Sequence, residues 1–421
     1  MVKVITDKKL ISEILMRGVE NVYPSREELE KKLLSGDRIR LYCGYDPTAP
    51  ALHIGNAISM NKLAQFQALG HEIIFLIGDF TGLIGDPTDK KAARKKMTRE
   101  EVLSNARDYQ KQASAYLKFD GDNPARLMYN SEWNDKLSFK DLIELSSNFT
   151  VQQMIQRDMF QERLKEEKPI YLHEFLYPMT QGYDSVAMDV DLEIGGNDQM
   201  FNMMCGRNLL RALKNKEKFV LTMKLLADES GKKMGKTEGN VVFLDEEAKD
   251  MYGKVMSWPD GVLIPAFESC TNIPMSEVNQ MADDSKNNKI NPRDLKMRLA
   301  HEITKINHGS EEADKAQENF IRTIQKKEIP TEIEVCSINK GKSTLVELLV
   351  EIGLAKSKTE ARQKIEEGAI KIKIEKEGEE NNGPKELQVI KDIKYEVDFN
   401  DGIKNVIIQK GKFTFKRVKL L

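Results

Sequence analysis

Five short stretches hold residues whose types and spacing could carry chemistry. The first is Tyr42-Cys-Gly-Tyr-Asp-Pro-Thr-Ala-Pro-Ala-Leu-His-Ile-Gly-Asn56. Gly44, Pro47 and Pro50 favour a turn there, and His53, Ile54 and Gly55 stand at the entrance of an apolar-periodic helix. A helix entrance presents unpaired N–H groups and the positive end of the dipole, so it attracts phosphate. The second stretch, Thr81-Gly-Leu-Ile-Gly-Asp-Pro-Thr88, sets the carboxylate of Asp86 just before residues 89–96, five of which are cationic. In the third, Tyr177, Gln181 and Asp184 fall at i, i+4 and i+7, which places hydroxyl, amide and carboxylate on one helix face. The fourth, Ile194-Gly-Gly-Asn-Asp-Gln199, reads as a strand end with room for a ribose against backbone. The fifth, Lys232-Lys-Met-Gly-Lys-Thr237, is a lysine–glycine loop without the Walker spacing. Taken singly, each has a plainer explanation as a solvated turn or the polar side of a helix.

The elements that must position these residues alternate between strand and helix. Residues 38–42 read as a strand ending at the first turn, followed by a helix over 57–69. Residues 71–80 form an apolar run suited to a buried parallel strand, and 125–129, 191–194 and 219–226 are further strands. Capping patterns open helices at Thr98 (to about 117) and Ser138, and 149–164 reads as one more amphipathic helix. The expected class is α/β, a Rossmann-like parallel sheet covered by helices, with ligands at the carboxyl ends of its strands. Beyond about 240 the pattern turns helical, with 281–288 read as a polar loop, and a charged, proline-ended stretch at 325–330 marks a boundary. The remainder reads as a small α+β module: helices at 344–352 and 358–367, then short strands around a polar insertion at 375–384.

Composition narrows the setting. A chain of 421 residues with 40% apolar content holds two or three domains, and no stretch is long and apolar enough to cross a membrane. The N-terminus lacks the apolar run of a secretory signal. Cys43, Cys205, Cys270 and Cys336 show no Cys-x-x-Cys pairing, so neither a disulfide framework nor a metal site is expected, and a cytoplasmic setting fits. The net charge of −2 hides an asymmetry: residues 338–421 hold 18 Lys/Arg against 14 Asp/Glu, leaving 47 against 53 for the rest. A basic tail on an acidic body suggests a polyanionic partner.

Together the motifs resemble a known family. His53-Ile-Gly-Asn56 and Lys233-Met-Gly-Lys-Thr237 look like the two signatures of class I aminoacyl-tRNA synthetases. Tyr42-Cys-Gly-Tyr-Asp-Pro-Thr48, Gly85-Asp-Pro87, the Tyr177/Gln181/Asp184 face and Ile194-Gly-Gly-Asn-Asp-Gln199 narrow the resemblance to tyrosyl-tRNA synthetases of the bacterial type. The segment 357–372 resembles the core of an S4-like RNA-binding module. The resemblance implies a catalytic domain over 1–239 with a dimer-forming insertion at about 130–164, an α-helical anticodon-binding domain over 240–330, and an S4-like domain over 338–421.

It also implies roles residue by residue. Tyr42 and Asp184 match the residues that bind the substrate phenol. Asp86, Tyr177 and Gln181 match those that hold its ammonium group, and Gln199 lies near its carboxylate. Cys43, Gly196 and Asp198 match ribose contacts, while Gly55, Leu225 and Leu226 match adenine contacts. Gly44, Asp46 and Asn56 complete the ATP-binding set. Thr48 and His53 match γ-phosphate groups, and Lys90, Arg94, Lys233, Lys236 and Thr237 match cations and a hydroxyl that close on pyrophosphate. Arg362, Lys364, Lys410, Lys412, Lys416 and Arg417 are expected to meet RNA backbone. Two positions depart from the signatures: Asn56 stands where a second histidine is usual, and Gly235 where serine is commoner.

The implied reaction is a tyrosine–tRNA ligation: tyrosine and ATP give an adenylate and pyrophosphate, and the tyrosyl group then passes to a terminal ribose of tRNA(Tyr). Magnesium is expected to travel with ATP on its phosphates, and the protein to act as a homodimer. A tryptophan-specific relative is the second enzyme reading, disfavoured because an indole offers no hydroxyl to Tyr42 and Asp184. A retired synthetase that only binds RNA is the third, disfavoured by intact Asp86, Gln181, His53 and both signature lysines.

Overall fold

The structure, a computed structural model, describes residues 2–88, 97–227, 241–325, 333–376, 387–411 and 414–421. The chain divides into two compact units, Met1–Asp314 and Lys315–Leu421.

The first unit is built on a six-stranded sheet. Its strands are β1 (Val19–Tyr23), β2 (Arg40–Tyr45), β3 (Glu72–Ile77), β4 (Arg126–Tyr129), β5 (Leu192–Gly196) and β6 (Phe219–Met223), in the order β1-β6-β5-β2-β3-β4. β2 to β6 run parallel, and β1 adds an antiparallel edge along β6. The interior strands are almost continuously apolar, as burial on both faces requires; Ile73 to Ile77 are each no more than 1% exposed. From β2 the chain moves outward one way through β3 and β4, then returns to the other side of β2 as β5 and β6. That reversal opens a crevice beyond the carboxyl ends of β2 and β5, where ligands of open α/β sheets bind.

Several expectations change here. The sheet is mixed because of β1. β2 does not stop at Tyr42: its ladder with β3 continues through Gly44 and Tyr45, and the turn follows. The stretch 281–288 is not a loop, since residues up to 286 belong to the helix Met275–Lys286, whose buried Val278 and Met281 were outnumbered by its polar outer face. The single helices read over 98–117 and 149–164 are each broken in two, as Arg99–Ala106 with Tyr109–Ala113 and as Val151–Ile155 with Asp158–Lys165.

The second unit packs helices Leu345–Glu351 and Lys358–Glu366 on a five-stranded sheet. Its described residues form seven strands in two sheets: β7 (Glu334–Ile338), β8 (Lys342–Thr344), β9 (Ile370–Lys376), β10 (Gln388–Val389), β11 (Glu396–Asp398), β12 (Ile403–Lys410) and β13 (Thr414–Leu420). The larger sheet has the order β10-β9-β12-β13-β7, and β11 pairs with β8 separately. Leu345, Leu348, Leu349, Ile365, Ile370, Val406, Ile408 and Val418 form its core.

One buried cation, Arg17, ties the sheet region to the helices after residue 240, and a second, Lys62, holds the backbone around it. Arg17 donates to the carbonyls of Phe267 (3.1 Å), Glu268 (2.8 Å), Thr271 (2.5 Å) and Ile273 (2.6 Å), capping the end of the helix Leu263–Cys270. Lys62, on the helix Ile54–Ala68, donates to the carbonyls of Ile14 (2.6 Å) and Arg17 (2.9 Å). Burial, reinforced by the nearby Arg17 charge, pushes the Lys62 amine down to about 7. A neutral amine has two hydrogens, which match the two carbonyls it meets. Between about pH 7 and the ordinary lysine value, the unfolded chain keeps a proton that the fold has released, so stability rises with pH across that window. Urea midpoints at pH 7, 8 and 9 therefore climb in the parent relative to Lys62→Met; parallel profiles contradict this assignment.

Candidate active site

The crevice at the ends of β2 and β5 gathers most of the residues expected to act there. Tyr42 lies on β2, Tyr177, Gln181 and Asp184 share the inner face of the helix Leu176–Met188, and Asp86 follows the short helix Thr81–Ile84. These form the deep end: Tyr42 is 1% exposed, Asp184 2%, Tyr177 5% and Asp86 9%. The nucleotide-side residues Thr48, His53, Asn56, Gly196, Asp198 and Leu225 are half-buried, Gly44 and Gly55 are exposed, and Cys43 and Leu226 are buried. The crevice thus grades from a dry polar floor to an open mouth, the shape needed for a small molecule within reach of a larger one.

Asp184 is the most demanding group in the floor. Its Oδ1 accepts from the indole N–H of Trp133 (2.7 Å) and from Asn134 Nδ2 (3.1 Å), and its Oδ2 from Asn130 Nδ2 (3.2 Å). Burial pushes its carboxyl well above the usual carboxylate range, against the pull of those three donors. In its ionised form the group accepts at roughly four sites, so the three donors among the described residues leave one position on Oδ2. Tyr42, buried beside it, holds its hydroxyl 3.0 Å from Ser185 Oγ; burial and the carboxylates of Glu193 and Asp184 push its phenol well up.

A second cluster fixes the side of the crevice. Asp46 Oδ2 accepts from the Tyr177 hydroxyl (2.8 Å) and its Oδ1 from Thr81 Oγ1 (2.6 Å), while Asn130 Nδ2 donates to that same Thr81 oxygen (3.0 Å). Only glycine fits at Gly78, where a Cβ would stand 2.0 Å from Asp46 Oδ1. Asp86 Oδ2 accepts from Gln199 Nε2 (2.7 Å), and its Oδ1 from the N–H (2.9 Å) and hydroxyl (2.6 Å) of Thr88. Arg157 reaches in from the 130–164 segment to donate to Thr88 Oγ1 (2.8 Å), with its guanidinium 4.6 Å from the Phe201 ring centre. Asp46, expected among ATP contacts, is therefore tied to the Tyr177 side of the crevice.

At the mouth, His53 caps the helix Ile54–Ala68, and its N–H donates to Asn56 Oδ1 (3.0 Å). The amide thus does at this position what an uncharged cap requires, which explains how the signature tolerates it. Residues 52–54 pair with 242–244 through Ile54 N–H to Val242 O (3.0 Å) and Leu244 N–H to Leu52 O (2.9 Å). The chain flanking the second signature thus returns beside the first. Lys90, Arg94, Lys233, Lys236, Thr237 and Lys412 lie outside the described residues. Burial holds the Cys43 thiol up at about 11, so it is protonated near neutral pH.

In the second unit, Lys364 and Lys410 line one cavity of about 370 Å³ with Gly353, Ala369, Gly411 and Thr414. Lys410 also donates to Leu354 O (2.6 Å) and pairs with Glu360 (3.0 Å), Lys364 pairs with Glu367 (2.7 Å), and Lys416 with Glu334 (2.8 Å). Arg362 is exposed and Arg417 half-buried. Sequence reasoning missed Asn130, Trp133, Asn134, Ser185, Glu193 and Lys218. One signal was available: Glu193 is a lone carboxylate inside the otherwise apolar β5.

Comparison with known proteins converges on one family. Residues 34–325 match the family model described as tRNA synthetases class I (W and Y), and residues 324–418 match that of the tyrosine–tRNA ligase SYY-like C-terminal domain. The tyrosine–tRNA ligase of Thermotoga maritima is 42% identical over 404 residues, covering 95% of this chain and 96% of its own. That of Haemophilus ducreyi is 44% identical over 359 residues, covering 85% and 89%. Among solved structures, the C-terminally truncated mitochondrial tyrosyl-tRNA synthetase of Coccidioides posadasii superposes with a TM-score of 0.60 at 26% identity, covering 73% of this chain and 91% of its own. The Archaeoglobus fulgidus tyrosyl-tRNA synthetase complexed with L-tyrosine shares the fold, with a TM-score of 0.58 at 22% identity over 74% of this chain and all of its own.

The upward displacement of Asp184 is measurable through its indole partner. Trp258, whose Nε1 has no hydrogen-bond partner among the described residues, is replaceable by Phe, which leaves Trp133 as the sole tryptophan. In the Trp258→Phe variant, Trp133 fluorescence then titrates with a midpoint above the ordinary carboxylate range, and adding Asp184→Asn removes that transition. A midpoint near 4 contradicts the placement.

Proposed function

The chain belongs to the tyrosyl-tRNA synthetases of class I, and from that we propose that the crevice between β2 and β5 seats tyrosine with its phenol at the floor and its ammonium and carboxylate toward ATP. Such a chain is a tyrosine–tRNA ligase: tyrosine and ATP give tyrosyl-adenylate and pyrophosphate, and the tyrosyl group passes to the 3′-terminal ribose of tRNA(Tyr).

The observation that supports this seating is the single acceptor position left on buried Asp184 beside Tyr42. A substrate O–H donates there, whereas a bare phenyl ring leaves the position unmet in a dry site. Tyrosyl-tRNA synthetases are themselves the standing example of rejection of phenylalanine by this physics. Asp86, Tyr177 and Gln181 surround the ammonium, and Gln199, held by Asp86 and by Asn202 Nδ2 (2.9 Å), lies toward the carboxylate.

In the first step the substrate carboxylate attacks the α-phosphate, so the protein supplies no nucleophile. Its work is alignment and stabilisation of charge on the phosphates. Thr48, His53 and the dipole of the helix Ile54–Ala68 face the phosphates, joined by Lys90, Arg94, Lys233, Lys236 and Thr237. Cys43, Gly196 and Asp198 line the ribose, with Gly55, Leu225 and Leu226 about the adenine, and Gly44 and Asn56 complete the ATP-binding set. Asp46 acts by orienting Tyr177. Magnesium would accompany ATP on its phosphates and would offset their charge there.

The first unit divides by function into a catalytic part, 1–239, with the helices after 240 reading the anticodon side of tRNA. The module 338–421 meets RNA backbone through Arg362, Lys364, Lys410, Lys412, Lys416 and Arg417, with salt-dependent affinity. A homodimer in the cytoplasm completes the reading. Of fifteen exposed large hydrophobic residues among those described, six lie within 139–172, including Phe139 and Leu172 at 78% exposure and Val151 at 72%. Within this segment Met154, Met159 and Phe160 pack inward, Phe149 is half-buried and Leu164 is exposed. No described helix is long and apolar enough to cross a membrane.

Two measurements test this. Asp86→Ala lowers the single-turnover rate of tyrosyl-adenylate formation per molar tyrosine by about a hundredfold, the loss of a charged hydrogen-bond partner; an unchanged rate removes Asp86 from the site. Phe139→Asp with Leu172→Asp shifts the parent's sedimentation from dimer to monomer, whereas an unmoved dimer places the interface elsewhere.

A further inference from the structure

We propose that Glu193, held by Lys218, is the positioning residue that decides which end of the Gln181 amide faces the tyrosine ammonium. The inference rests on the seating of tyrosine described above and assigns a role to two residues that touch no substrate.

Glu193 and Tyr42 are register partners on adjacent parallel strands, β5 and β2. Glu193 is 2% exposed and Lys218, just ahead of β6, is fully buried. The Lys218 ammonium has three hydrogens and meets three acceptors: Glu193 Oε2, Ser185 Oγ (2.8 Å) and Met203 O (3.0 Å). Ser185 Oγ in turn stands 3.0 Å from the Tyr42 hydroxyl. Room for the lysine is made by Gly206, where a Cβ would come within 2.6 Å of both Lys218 Nζ and Ser185 Oγ. A buried ion pair seldom adds stability over an apolar pair of the same volume, so its presence under the crevice calls for another reason.

That reason is the free oxygen of Glu193. Glu193 Oε1 accepts from Gln181 Nε2 at 3.2 Å. A glutamine amide fits a site either way round, and only its partners choose between the two. Because the carboxylate paired with Lys218 only accepts, it takes the NH₂ end and turns Gln181 Oε1 away from itself. Gln181 Oε1 is buried and has no hydrogen-bond partner among the described residues. An orphaned buried acceptor is costly unless a ligand supplies the donor, and the substrate ammonium is such a donor. Turned the other way, the amide would set N–H groups against the ammonium.

Glu193→Gln breaks this choice. Lys218 then takes the new amide oxygen, leaving an NH₂ toward Gln181, which turns to accept it. The test is inhibition of tyrosine-dependent pyrophosphate exchange by two probes. Tyrosinol keeps the ammonium without the carboxylate, and 3-(4-hydroxyphenyl)propionate keeps the carboxylate without the ammonium. Glu193→Gln raises the tyrosine KM and the tyrosinol inhibition constant about tenfold or more, the worth of one charged hydrogen bond. The hydroxyphenylpropionate constant and the KM for ATP stay within about twofold. Should the single variant fail to fold with Lys218 uncompensated, the pair Glu193→Gln with Lys218→Met gives the same comparison. Equal weakening of both probes, or of neither, overturns the proposal. Gln181→Ala separates the two levels: if it weakens tyrosinol while Glu193→Gln does not, only the role of Glu193 fails. If Gln181→Ala leaves tyrosinol unaffected, the seating of tyrosine fails with it.

Discussion

A carboxylate held in a dry floor is the constraint on which the crevice depends. Reading one hydroxyl on a small aromatic molecule needs an acceptor that water does not satisfy first, so Asp184 must be buried. An isolated buried carboxylate is costly, and the structure answers with Trp133, Asn134 and Asn130, all drawn from the short segment after β4. Three donors hold the group in place without saturating it. Fewer would leave the charge unsupported, and a fourth would occupy the position the substrate needs.

The rest of the crevice is braced against the same few residues. Asn130 touches Asp184 and Thr81 at once and accepts from the Phe80 N–H (2.8 Å), so it ties the end of β4 to the turn after β3. Through Thr81 that link reaches Asp46 and Tyr177; through Thr88 and Arg157, Asp86 is joined to the segment with the exposed apolar surface. Beneath β2 and β5, Lys218 and Glu193 reach Tyr42 through Ser185 and Gln181 directly. Catalysis by alignment rather than by a covalent intermediate asks for side chains with few alternative positions, and shared hydrogen-bond partners provide that.

Much of this was legible in the sequence for identifiable reasons. Parallel strands buried on both faces announce themselves as apolar runs, and the i, i+4, i+7 spacing of Tyr177, Gln181 and Asp184 placed three site residues on one helix face, as the structure has them. The turn after β2 and the helix opening at His53 were signalled by proline, glycine and apolar period. What stayed hidden depends on long-range pairing. Asn130, Trp133 and Asn134 become partners of Asp184 only because β4 lies beside β3, some fifty residues away in the chain. Lys218 reads locally as a solvated lysine before a strand until Gly206 makes room for it inside. The antiparallel edge β1 and the second half of the helix Met275–Lys286 were missed where a polar outer face outweighed one or two buried positions.

The most direct measurement of the central claim is exchange of labelled pyrophosphate into ATP, run in parallel with tyrosine, phenylalanine and tryptophan. If the open acceptor position on Asp184 reads the substrate hydroxyl, tyrosine drives exchange while the other two amino acids do so orders of magnitude less efficiently. Comparable exchange with phenylalanine contradicts the account, since it means that the buried carboxylate is satisfied without the phenol.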